Sequence, residues 1–114
     1  MRLREGYHHG DLRAELVRLG LEAIETEGAE ELSLRSLAEV AGVSKTAPYR
    51  HFADKEAFLA ALADEGYRLL LETLRGPGES EEGGVAGMGR AYLAFALERP
   101  GLYRLMTSPL LGVG

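Results

Sequence analysis

The chain has 114 residues, 46% of them hydrophobic, and carries 13 Lys and Arg against 18 Asp and Glu for a formal net charge of −5. That length fits one domain, or one small domain with part of a second, and the lack of cysteine excludes disulfides and thiolate metal sites. No apolar run reaches the length of a membrane span and residues 1–5 lack the apolar stretch of a signal peptide, so a soluble, cytoplasmic protein is expected.

Ala, Leu, Glu and Arg dominate while Val and Ile are scarce, which favours helix over sheet and predicts an all-α fold. His8-His9-Gly10 leads into the first element. Adjacent histidines do not easily face one ion and no further ligands cluster near them, so no metal is expected. Leu12, Leu16, Leu19, Ala23 and Ile24 recur at helical spacing and predict a first helix from Leu12 to Glu27. Asp11 is its candidate cap and Gly28 its stop.

Ser33 is a good cap for a short second helix, Leu34 to Val40, whose apolar face is Leu34, Leu37, Ala38 and Ala41. Gly42 breaks it, and Val43 follows as a buried plug. Ser44 is the expected cap of a third helix reaching His51 or Phe52. Two helices joined by a tight turn around glycine give a helix-turn-helix outline.

Asp54 caps a fourth helix, Lys55 to Leu74, with Phe58, Leu59, Leu62, Leu69, Leu70 and Leu74 on its apolar line. Gly76-Pro77-Gly78 ends it, and the acidic, glycine-rich Glu79 to Gly84 reads as a loop. A fifth helix, Val85 to Glu98, carries Met88, Tyr92 and Phe95 on one face. Arg99-Pro100-Gly101 interrupts it, and Leu102 to Met106 predicts a short sixth helix. No HExxH, GxSxG or Walker pattern occurs, so neither an enzyme nor a bound cofactor is expected.

A recognition helix needs a cap that brings its N-terminus to DNA, an exposed polar or basic face, and an apolar face that locks it in place. Ser44-Lys45-Thr46-Ala47-Pro48-Tyr49-Arg50-His51-Phe52 meets all three demands. Lys45, Thr46 and Tyr49 can project outward while Phe52 returns to the core. From Ser44 to Lys55 the chain sets Lys45, Arg50, His51 and Lys55 against one acid, Asp54. Phosphates respond to charge within about 10 Å, so a basic face on an acidic body remains compatible with nucleic acid. Each residue also has an ordinary alternative. Tyr49 can pack on the second helix, His51 can be a surface residue or a cap, and Lys55 can be a solvated first-turn lysine.

The run from Leu37 to Glu56, LAEVAGVSKTAPYRHFADKE, resembles the signature of the TetR family of bacterial transcriptional regulators. LAxxAGVS, YxHF and DKE occur together and in register, and the resemblance covers about the first half of the chain. It implies a three-helix DNA-binding head, residues 1–54, and a helical regulatory and dimerisation region, residues 55–114, shorter than is usual and truncated-looking. Ser44 is the expected cap at the DNA, and the resemblance assigns Lys45, Thr46, Ala47 and Tyr49 to the major groove or its walls. Tyr49, His51 and Lys55 would meet phosphates, Ser33 and Arg35 would contact the backbone, and Arg2 and Arg4 would form an arm. Pro48 departs from the larger aliphatic residue frequent there. The same resemblance implies a homodimer on a palindromic double-stranded operator, and a repressor released by a small hydrophobic effector. Tyr67, Met88, Tyr92, Phe95 and Tyr103 would line the effector's pocket, unless they are core or dimer contacts. The alternative function is a helical protein-interaction module, or a truncated regulator without specific DNA binding.

Overall fold

The computed structural model of the protein describes residues 11–75 and 84–108. Helices are the regular elements among them: α1 (Leu12–Glu31), α2 (Leu34–Ala41), a 3₁₀ turn (Ala47–Arg50), α3 (Lys55–Arg75), α4 (Gly84–Glu98) and α5 (Pro100–Met106). The fold is all-α, as composition and periodicity indicate. Arg2, Arg4, His8, His9, the Gly76-Pro77-Gly78 stop, residues 79–83 and the tail from Pro109 lie outside the described residues. No described helix is long and apolar enough to cross a membrane.

The chain forms two compact units, residues 1–62 and 63–114, divided inside α3. The sequence reading divides it after residue 54. The difference lies in the first turns of α3, whose Phe58, Leu59 and Leu62 are buried. Phe58 meets Phe52 edge to face, with ring centroids 4.9 Å apart, so this part of α3 completes the head's core.

In the head, α1 buries Leu12, Leu16, Leu19 and Ile24, the stripe its period predicts. Each such leucine or isoleucine contributes about 1.5–3 kcal/mol on full burial. Asp11 precedes α1 but makes no side-chain capping bond. Gly28, with φ 84° and ψ 164°, breaks the helix, and one further turn, residues 29–31, follows the break. The chain then extends through Leu32, 2% exposed. Ser33 caps α2 by accepting a hydrogen bond from the Ser36 N–H at 3.2 Å. Gly42 ends α2 in the left-handed conformation, φ 79° and ψ 26°. Its N–H reaches the Glu39 carbonyl at 3.1 Å and that of Val43 reaches Ala38 at 3.0 Å, a Schellman closure that satisfies the helix's last carbonyls.

In the second unit, α5 packs on α4. Phe95, Leu102, Leu105 and Met106 form the buried centre, and Gly66 of α3 lets the Leu102 and Met106 side chains come close. Tyr67 donates a hydrogen bond to the Met106 carbonyl at 2.9 Å. Arg90 and Glu98 are the charged residues of α4, so it is apolar nearly all round. Gly87 and Phe95 are buried, whereas Val85, Met88, Tyr92, Leu93 and Leu97 are exposed. A helix apolar on all sides is ordinarily covered.

Candidate nucleic-acid interface

The turn after α2 sets the geometry of the recognition segment. Sequence reading expects an α-helix from Ser44. The structure instead has a 3₁₀ turn confined to Ala47–Arg50. Pro48 explains the difference. In an α-helix its nitrogen would donate to the Ser44 carbonyl, but proline has no N–H. The Ala47 N–H takes that carbonyl instead at 3.1 Å, Tyr49 donates to Thr46 at 3.0 Å, and His51 donates to Pro48 at 2.9 Å. All three bonds span three residues, the spacing of the tighter 3₁₀ form. Ser44 is therefore not an α-helical cap. Its hydroxyl lies 3.4 Å from that of Thr46, and Thr46 occupies the capping position without a side-chain capping bond.

The segment has a clear inside and outside. Ala47 is 4% exposed, and Pro48 and Phe52 are also buried, packed toward α1 and α2. The expectation that Ala47 faces a groove is corrected, because its methyl group is spent on the core. Ser44, Lys45, Thr46, Tyr49, Arg50 and His51 are exposed on the same short stretch. Tyr49 leaves 45% of its surface to solvent, so it does not pack away against α2. Arg35 is exposed one residue into α2 from Leu34, beside the half-buried cap Ser33.

Two long-range contacts steady the head, and neither is legible in the sequence. The Arg13 guanidinium carbon lies 5.0 Å from the centroid of the Phe52 ring, a cation–π contact that ties α1 to the end of the recognition segment. Lys55 Nζ donates to the Glu30 carbonyl at 2.8 Å. Lys55 is thus half-buried and engaged within the protein, rather than a freely solvated first-turn lysine. Asp54 caps α3 as its position predicts, its Oδ1 accepting from the Ala57 N–H at 2.9 Å.

Residues 16–62 match the family pattern described as bacterial regulatory proteins of the tetR family. The head belongs to the TetR family. This is a helix-turn-helix DNA-binding domain, and the match spans α2, the recognition segment and the start of α3. Two solved structures are similar to the chain. The candidate regulatory protein SCO4313 is 34% identical with a TM-score of 0.74, over 90% of this chain and 51% of that one. A protein of unknown function from Rhodococcus sp. RHA1 is 40% identical with a TM-score of 0.76, over 90% of this chain and 55% of that one. The chain therefore spans about half the length of these solved relatives. No curated protein matches it.

Of the residues that the TetR resemblance places in an effector pocket, Phe95 is in the core. Tyr67, Met88 and Tyr92 are exposed at 48%, 44% and 41%. The Tyr92 and Tyr103 hydroxyls lie 2.9 Å apart, with their rings edge to face at 5.8 Å. The hydroxyl pair, above all the hydrogen bond to Tyr103, pushes the Tyr92 phenol above its ordinary value. Among the described residues, no group of three or more His, Cys, Asp or Glu is arranged to hold a metal.

Proposed function

We propose that this TetR-type protein is a sequence-specific transcriptional repressor. It binds a near-palindromic operator as a homodimer in the cytoplasm and is released by a small hydrophobic effector. One observation carries the reading. Lys45, Thr46, Tyr49 and His51 stand exposed on a segment whose opposite side, Ala47, Pro48 and Phe52, is locked in the core. Such a segment offers bases and phosphates a rigid polar edge. Lys45 and Thr46 reach base edges, Tyr49 and His51 the groove wall and phosphates, and Ser33 and Arg35 the backbone. The two heads of the dimer would enter successive major grooves roughly 34 Å apart. The effector would meet the side of Tyr67, Met88, Tyr92 and Tyr103. Because α3 contributes to both units, it would carry the signal to the head.

The test is selection of bound DNA from a random duplex pool, followed by a salt titration on the selected site. A two-fold-symmetric site, bound with a steep salt slope, is the expected result. A second reading, a helical protein-interaction module, draws on the apolar surface of α4 and the net charge of −5. Binding that fades with salt and enriches no motif would favour it and sink the repressor reading.

A further inference from the structure

Lys55 opens α3, where a cation meets the positive end of the helix dipole and is disfavoured. Its ammonium is turned toward another helix end. It donates to the backbone carbonyl of Glu30, 25 residues earlier, at 2.8 Å. Glu30 lies in the last turn of α1, beyond the break at Gly28. The final carbonyls of a helix have no partner within it, and α1 has no basic residue in its own last turn. Lys55 supplies a donor from α3 to a carbonyl of that last turn.

The clasp sits just upstream of the backbone-contacting end of α2. Leu32 follows Glu30 into the core, Ser33 caps α2, and Arg35 comes next but one. Ser33 is three residues from Glu30, at most about 11 Å of chain. We infer that Lys55 is a positioning residue for DNA binding: by fixing the turn at residues 29–31 against the start of α3, it sets Ser33 and Arg35 at the phosphates. The inference rests on the DNA-binding reading proposed above. It differs from the role that the family resemblance gives Lys55, a phosphate contact of its own.

The two roles have different signatures. A lysine that neutralises a phosphate contributes about 0.9 to the salt slope and little to the fold. A clasp contributes to the fold; without it Arg35 still meets its phosphate in the complex but must first be ordered there, so binding weakens equally at every salt concentration. Lys55→Met keeps the length of the side chain but removes donor and charge, while Lys55→Arg keeps both. The full chain is melted without DNA, then titrated with the selected duplex across a range of salt at a temperature where each variant is folded. The Met variant is expected to melt roughly 4–8 °C lower and to bind several-fold more weakly with an unchanged slope. The Arg variant is expected to restore both. An unchanged melting temperature, or a slope lower by about one, overturns the proposal in favour of a direct phosphate contact. If the wild-type chain selects no duplex, the DNA reading itself has failed, and the melting comparison still decides whether the clasp exists.

Discussion

Gly20 of α1 lies so near Phe58 of α3 that a Cβ built on it would stand 2.7 Å from the Phe58 ring carbon Cζ. The Phe58 ring is fully buried and held edge to face by Phe52, so it has nowhere to retreat. Gly20→Ala gains about 1 kcal/mol of helix propensity but overpacks the core, which costs about 1–3 kcal/mol. Net destabilisation is expected in thermal or urea unfolding. Gly66→Ala meets the Met106 sulfur at 2.6 Å, but that is the far end of a flexible side chain, so its cost is expected to be smaller. Equal losses at the two sites would refute this ranking.

Gly42 holds φ 79° where α2 turns into the recognition segment. An L-residue in that conformation costs about 1–2 kcal/mol, so Gly42→Ala should lower the unfolding midpoint. Gly42→Asn should lower it less, because asparagine enters the left-handed region more readily. Chemical denaturation of the two variants, compared at equal m-value, checks the order.

Thr46 and Arg35 are assigned different tasks and should fail differently. Thr46→Ala removes an exposed hydroxyl from the outer edge of the recognition segment. It should change the preferred sequence at one position of the site while the salt slope stays put. Arg35→Ala should weaken binding to all duplexes alike and lower the slope by about one. Repeating the duplex selection with the first variant and the salt titration with the second distinguishes them.

Arg18 clasps Glu15 at 2.7 Å and Glu22 at 3.2 Å on the surface of α1. The hydrogen bond from Arg18 holds the Glu15 carboxyl below its ordinary value, against a smaller opposing effect of burial. A carboxylate lowered in the fold stabilises it above the unfolded pKa of about 4.3, and that contribution is lost as pH falls through the folded value. NMR titration should therefore find Glu15 raised in Arg18→Ala. The variant's stability deficit, small because the pair is exposed, should be present at neutral pH and vanish in acid. A Glu15 titration unmoved by the substitution would contradict the assignment.

Much of the head is legible because its signals are local. The spacing of Leu12, Leu16, Leu19 and Ile24 places α1, Ser33 and Asp54 cap the helices that follow them, Gly42 ends α2, and Gly28 breaks α1 one turn before its end. These depend on the backbone within one or two turns, which sequence encodes directly. The recognition segment is less legible. Pro48 visibly lacks a donor, yet whether the chain tilts an α-helix or tightens to a 3₁₀ turn depends on how Ala47, Pro48 and Phe52 fill the core.

By itself, then, the sequence determined an all-α protein with a TetR-type head and an exposed polar edge at Lys45, Thr46, Tyr49 and His51. Tertiary structure alone decided that Ala47 faces inward, that α3 completes the core of the head, and that Arg13 braces Phe52. It also decided that Lys55 serves the end of α1 rather than its own helix. The reason is physical: periodicity and caps act between neighbours in the chain, whereas these contacts join residues far apart in it, and their partners are chosen only when the helices pack.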